Sequence, residues 1–395
     1  MTILIISAVF PPEPVVSAKL SADLYSELKE RGYYVRVLHP RPSRPNGFEF
    51  EDMTICEENE VTTQSFVCPH SSLIGRIRES WSFGCSCYKH IILHHAEISC
   101  IYVNAWPIFS QLFIVKAAKK YGIPCIIHIQ DIYPESLTNK MPGKIGKIVY
   151  SLFLPIDRYI LDNCTKVVAI SNKMKNYLAQ TRDIDSRKIF VVSNWQNEKE
   201  FLNYRKGCEK KHTEKPFTFM YLGNIGPVAG VDLLLDAYKQ SKLMNARLVI
   251  AGSGTMKKSL VEKAAGCKTI EFWDVPNGKV PEIQSQADVM ILPIKKGAAS
   301  SSIPSKLPAY MFSAKPIIGC LDADSDTANA ISEAECGWII EPENAGRLAS
   351  MMEIVTSLDE TCLKEKSDKA FSYGISHFSK KENLDKLVKV IEDAL

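Results

Sequence analysis

The sequence is poor in the features that announce a simple class. Its 395 residues include twelve cysteines, yet no CxxC pair and no Cys/His group at zinc-binding spacing. Apart from Cys85 and Cys87 the cysteines stand singly. A chain of this size needs no disulfide framework, so reduced thiols and a cytoplasmic setting are expected. No apolar run approaches the roughly 18 residues that read as a membrane-spanning helix. The opening MTILIISAVF has no basic leader and is cut off by Pro11-Pro12, so it reads as a buried strand rather than a signal peptide. Net charge is only +3, too mild for a nucleic-acid partner. The first strand–helix loop lacks GxGxxG, which argues against a dinucleotide cofactor. No repeat or low-complexity tract is visible.

What is present is an alternation of short apolar runs and helical patterns. Hydrophobic content of 46% and charged content of 24% suit a soluble globular chain with two cores. A strand over 2–9 is followed by a helix over 17–31, with Leu20, Leu24 and Leu28 at helical spacing, and by a strand over 33–38. That βαβ start predicts a doubly wound parallel sheet. Residues 39–60 read as irregular. Further strands are expected at 100–103, 124–129, 166–170 and 188–192, with helices at 107–121 and 171–180. Residues 207–216 turn to Lys, Glu and His and mark a linker. The pattern then restarts, with strands at 217–222, 247–251, 269–272, 289–292 and 317–320. The domains are therefore set at 1–206 and 214–377, with a last amphipathic helix over 378–395 packing back on the first.

The stretch from Ala287 to Cys320 organises the second half. After its first strand come Lys295, Lys296 and three serines (Ser300, Ser301, Ser302), then Pro304-Ser305-Lys306 and a short helix. Pro308 is tolerated only in a first turn, which makes Ser305 the N-cap and leaves the amides of Lys306 and Leu307 free. Such an end suits phosphate, and Lys306 adds a full charge. An ordinary capped helix is the plainer alternative. Gly223-Asn224-Ile225-Gly226, Gly252-Ser253-Gly254 and Phe272-Trp273-Asp274-Val275-Pro276 also follow strands, so all four loops can meet one nucleotide diphosphate.

In the first half, Gln130-Asp131 ends a strand, either as chemistry or as a helix cap; His128 shares a face with Gln130, either packed or catalytic. Asp322-Ala323-Asp324 has the form of a divalent-ion site. The plainer reading is a solvated loop, or with Ser325 and Thr327 a source of hydroxyls to a ligand. Segments 71–95 and 143–164 mix Arg and Lys with large apolar residues. They suit either a helix pair and a helix on an anionic membrane surface or buried helices with a solvated edge.

As a set these stretches resemble a known family. FMYLGNIG…AGVDLLLDAY, LVIAGSG, QADVMILP, PSK…AKPII and CGWIIEPEN, with QDIYPES and Asn194-Trp195 in front, look like a retaining glycosyltransferase of family 4. The nearest branch resembles bacterial N-acetylfucosamine transferases of surface polysaccharide synthesis. The resemblance implies an α/β, GT-B architecture: two facing Rossmann-like domains with parallel sheets, reacting in the cleft between them. It implies a UDP-sugar co-substrate, no metal, a polyprenyl-diphosphate-linked sugar acceptor, and a peripheral place on the cytoplasmic face of the inner membrane. Donor contacts would fall on Gly223, Asn224, Gly226, Gly252, Trp273, Val275, Ser302, Ser305, Lys306, Ser325 and Thr327. Acceptor contacts would fall on Pro14, Val15, His128 and Tyr133, and catalysis on Asp131, Gln130 and Lys306. The sequence departs from the family pattern in places. The usual glutamate pair falls on Ser301 and Ala309, the usual phosphate-binding Arg and Lys on Asn224 and Ala229, and the usual His-Asp is Gln130-Asp131. A GT-B nucleotide-sugar epimerase and a non-catalytic sugar-nucleotide binder are the rival readings.

Overall fold

Strands that are buried along their whole length, such as Thr2–Ser7, must be covered on both faces, and parallel sheets between helices satisfy this. The computed structural model describes residues 2–44, 59–68, 72–104, 107–139, 141–207, 215–227, 229–276, 278–297 and 303–395. The chain divides into two compact units, Met1–Asn194 with Asn383–Leu395, and Trp195–Glu382. The expected two-domain, parallel α/β architecture is the one observed.

In the first unit, β1 (Thr2–Ser7), β2 (Tyr34–Pro40), β3 (Glu60–Thr63), β4 (Ile98–Asn104), β5 (Cys125–Ile129), β6 (Lys166–Ala169) and β7 (Ile189–Val191) form a seven-stranded sheet. Its order is β3-β2-β1-β4-β5-β6-β7, every pair parallel. Strand order reverses between β1 and β4. In the second unit, β8 (Phe217–Leu222), β9 (Ala246–Ala251), β10 (Ile270–Trp273), β11 (Val289–Pro293), β12 (Ile317–Cys320) and β13 (Gly337–Ile340) run β10-β9-β8-β11-β12-β13, also parallel. Here the reversal lies between β8 and β11. Such switch points open crevices at the carboxyl edge of the sheet, where ligands of this fold class bind. Alternate residues of β8 and β9 feed opposite cores: Met220, Leu222, Val249 and Ala251 one, Phe219, Tyr221, Leu248 and Ile250 the other.

Three local expectations change. β3 is an unexpected strand that begins at Glu60, where the stretch read as irregular ends; only Thr63 of it is buried, so it carries no apolar pattern. Segment 71–95 is one 22-residue helix, Leu73–His94, rather than a pair. Gly84 lets it lie close to the helix Ile108–Tyr121, since a β-carbon there would meet Phe113 at 2.7 Å and the Phe109 carbonyl at 3.0 Å. The C-terminal run is two helices, Glu360–Phe378 and Lys380–Glu392, broken at an extended Ser379. The break occurs because the Lys380 amide is taken by the Gln196 carbonyl (3.1 Å) and the Glu198 carboxylate (2.8 Å). In the first unit the last helix buries Leu387, Val388 and Ile391. Asp385 pairs with Arg31, and the Tyr33 hydroxyl donates to Glu392 at 2.8 Å.

Candidate functional site

The crevice of the second unit is built by two strands that part early. β8 and β11 pair only at Phe219–Val289 and Met220–Met290. Beyond that point Leu222 has no strand partner on this side. The Tyr310 hydroxyl takes its place, accepting from the Leu222 amide (3.0 Å) and donating to the Leu222 carbonyl (2.9 Å). Tyr310 is fully buried, so the helix Lys306–Phe312 is anchored to the end of β8 by its second turn. That anchor lays the Lys306 stem over Gly223, where a β-carbon would collide with Cε at 2.1 Å. A side chain at Gly223 would push the lysine stem aside. The ammonium stands 5.4 Å from the centre of the Tyr221 ring and has no hydrogen-bond or ion-pair partner among the described residues. Burial lowers its pKa from the usual lysine value. A half-buried cation with only a ring face for company favours an arriving anion.

The glycine turns pack on each other. A β-carbon on Gly252 would sit 2.1 Å from the Gly223 carbonyl, and one on Gly254 would sit 2.3 Å from that of Ile225. The Gly223 amide donates to Ala251 (3.0 Å), that of Ile225 to Ser253 (2.8 Å), and that of Gly252 to Trp273 (3.0 Å). These glycines thus join strand ends, and the amides of Gly223 and Gly252 are spent. The amides of Asn224 and Gly226 donate to no group among the described residues.

The structure places the other residues expected at the site as follows. Ser305 has helical dihedrals and makes no side-chain cap, and the Leu307 amide is taken by the Pro304 carbonyl at 3.0 Å, so the helix opens with a tight turn. The Trp273 indole donates to Glu271 (2.8 Å) with the Arg247 guanidinium over its ring, while Val275 packs on the core. Ser325 spends its hydroxyl as an N-cap, accepting from Ala328 (3.1 Å) and donating to the Asp322 carbonyl (2.7 Å). Thr327 is fully buried and its hydroxyl has no partner among the described residues. Asp322 accepts from the Gly297 amide at 2.7 Å, and no group of three metal-ligating side chains occurs among the described residues. Ser302 and its serine neighbours lie outside the described residues. Lys257, which the sequence reading missed, bridges the Gly252 carbonyl (3.0 Å) and Asp274 (2.7 Å).

In the first unit, Gln130 and Asp131 leave the carboxyl end of β5, and Pro14 and Val15 lie in the loop after β1. His128 is 1% exposed: the Tyr102 hydroxyl meets its Nδ1 at 2.5 Å and Gln130 meets its Nε2 at 3.1 Å. Burial depresses its pKa to about 3, so the ring is neutral. It therefore stands behind Gln130 and steadies it. Asp131 is exposed and Tyr133 half-buried. Pro14 is exposed and Val15 partly so, in a loop held by the buried Glu13, which accepts from the amides of Phe10 (3.0 Å), Ser43 (2.8 Å) and Arg44 (2.8 Å). Proline density marked this loop; nothing in the sequence marked Glu13 as its anchor.

Two family models divide the chain between them. Residues 18–198 match Glycosyltransferase Family 4, and residues 208–377 match Glycosyl transferases group 1. Both halves of the chain thus carry glycosyltransferase domains. Among curated relatives of this chain, WbjE of Pseudomonas aeruginosa, which carries the name "Probable glycosyltransferase", is 23% identical over 61% of the chain and 62% of its own length. WcaI of Escherichia coli, named for colanic acid biosynthesis, is 22% identical over 78% of the chain and 80% of its own length. Among solved structures, Anabaena HepE in complex with UDP covers all of both chains at 13% identity and a TM-score of 0.65, a likeness of fold.

Proposed function

We propose that the protein moves a sugar, with retention, from a UDP-sugar to a polyprenyl-diphosphate-linked sugar in the assembly of a surface polysaccharide. The unpartnered ammonium of Lys306 beside Gly223, at the switch point of the second unit, carries this reading. As the donor's glycosidic bond breaks, the leaving diphosphate gains negative charge. A cation already stripped of part of its water stabilises that charge without reorganising. The free amides of Asn224 and Gly226 add donors. A donor phosphate oxygen takes the acceptor proton during same-face attack, so no protein nucleophile is needed. Asp131 orients the acceptor hydroxyl, and Gln130, steadied by His128, supplies hydrogen bonds. The fold shared with a UDP-bound structure supports the nucleotide, and the naming of WcaI supports polysaccharide synthesis. An N-acetylated hexosamine or 6-deoxyhexosamine follows the branch resemblance.

A lipid-linked acceptor calls for a protein that rests on a membrane. Among the described residues no helix is long and apolar enough to cross one. Instead Ile145, Ile148 and Leu152 are exposed along one stripe of the helix Gly143–Asn163, beside exposed Lys144 and Lys147. Ile74, Trp81 and Leu93 are exposed on the helix Leu73–His94, while Phe83, Cys87 and Ile91 of that helix are buried. Apolar stripes edged with lysine suit an anionic lipid surface.

The test is thermal stabilisation by a panel of UDP-, GDP- and dTDP-sugars, followed by UDP release with polyprenyl-diphosphate-linked sugars. UDP-sugars at a hundredfold excess over Kd should stabilise by about 2.7 kcal/mol. Response to another nucleotide alone would overturn the donor assignment. An epimer formed from donor without acceptor would favour the epimerase reading.

A further inference from the structure

Asp131 stands between two pinned points of the backbone. On one side, Gln130 is held by the buried pair His128 and Tyr102. On the other, the Tyr133 carbonyl and the Glu135 carboxylate are held by Arg182. This guanidinium, at the last position of the helix Asn172–Arg182, is 2% exposed. Its five N–H groups all find acceptors. Nε donates to Asp157 (2.7 Å); one terminal nitrogen donates to Glu135 Oε1 (2.6 Å) and Thr181 (2.9 Å); the other donates to Glu135 Oε2 (2.6 Å) and the Tyr133 carbonyl (2.6 Å). The Tyr177 hydroxyl adds a bond to Glu135 at 2.8 Å.

Electrostatics makes this an expensive way to fill a core. Two carboxylates share one guanidinium, and burial pushes Asp157 up to about 6 in spite of its cation, while Arg182 holds Glu135 below its usual range. Buried ion networks of this kind add little stability over apolar packing of the same volume. What a two-pronged fork does supply is geometry, because it fixes a carboxylate and a carbonyl in one plane. The geometry here belongs to Tyr133 and Glu135, and only Asp131 and Ile132 lie between them and Gln130.

We infer that Arg182 is a positioning residue for the transfer reaction: through Glu135 and the Tyr133 carbonyl it sets the direction of Asp131. The inference rests on the proposed part of Asp131 in acceptor activation. Glu135→Gln is the main probe, because Arg182 keeps Asp157 and the fold keeps its buried charge pair. Turnover is read with the donor and acceptor pair that the panel above finds fastest. Glu135→Gln should lower kcat about a hundredfold, the scale of an ångström-sized misplacement, with UDP affinity and donor KM unchanged. In an Asp131→Ala background the same substitution should cost nothing further. Hydrogen exchange of the 131–139 segment should quicken in Glu135→Gln and in Arg182→Lys, which keeps the charge but loses the fork. Wild-type kcat in Glu135→Gln, effects that multiply in the double variant, or unchanged exchange would overturn the inference. Full turnover in Asp131→Ala alone would instead remove Asp131 from the proposed function, and the clamp's role with it.

Discussion

Replacing Lys306 by methionine isolates its charge. Methionine has nearly the same length, so the stem over Gly223 and Tyr221 keeps its contacts. In the donor-free protein the ammonium is half-buried and unpartnered, and burial lowers its pKa from 10.5. The sign follows from that direction. A lysine with a depressed folded pKa costs stability wherever it is charged in the folded state, and the cost disappears once pH passes the unfolded value. At pH 7 Lys306→Met should therefore melt at or above the wild-type temperature. Its effect on the reaction has the opposite sense. A cation about 4 Å from a phosphate oxygen is worth about 4 kcal/mol at an effective dielectric of 20. Loss of one preorganised charge stabiliser typically costs about a hundred- to a thousandfold in kcat. UDP release at saturating donor should fall on that scale, and the thermal shift given by UDP should shrink. Because kcat/KM reports the free enzyme, its alkaline limb should begin below pH 10.5 in the wild type and vanish in Lys306→Arg. A methionine variant with near-normal turnover and an undiminished UDP shift would refute the assignment of Lys306 to the leaving diphosphate.

Other outcomes follow from the same geometry. Tyr310→Phe leaves the Leu222 amide and carbonyl unpaired in a buried position, and should cost about 2 kcal/mol in denaturant unfolding while weakening UDP binding. Gly252→Ala places a β-carbon 2.1 Å from the Gly223 carbonyl at a φ of 134°, and should lower the melting temperature sharply, whereas exposed Gly278, with nothing near a β-carbon, should cost only the strain of its φ of 74°. His128 titrates at about 3 in the folded protein against 6.5 in the unfolded chain, so stability should be fully present above pH 6.5 and fall toward pH 3, by at most about 1.4 kcal/mol per unit; in His128→Gln that slope should flatten. The triple change Ile145, Ile148 and Leu152 to serine should reduce sedimentation with vesicles containing anionic lipid. Unchanged recovery would dismiss that stripe as a lipid contact.

The reading of segment 71–95 shows where pattern ends and packing begins. Its apolar residues are frequent enough for a helix, but they go two ways: Phe83, Cys87 and Ile91 inward, Ile74, Trp81 and Leu93 outward. Periodicity alone does not separate the two sets, because the neighbour at Gly84 decides which face is covered. Ser305 shows the same limit at the site. Pro308 correctly placed the helix start, yet the Pro304 carbonyl closed on the Leu307 amide, a turn that the residue types do not dictate.

By itself the sequence determined the two α/β halves, because strands buried on both faces must be apolar throughout and helices between them must be amphipathic. It also marked the loops at the carboxyl edges, since glycines, prolines and a lone lysine after a strand have few other uses. Only the tertiary structure decided which polar groups are spent and which are left over. The amides of Gly223 and Gly252 went to neighbouring strands, His128 went behind Gln130, and Arg182 gathered two acids from distant segments, while Lys306 kept its charge unpaired. Hydrogen-bond satisfaction depends on partners brought together from far along the chain, and local sequence holds no record of them.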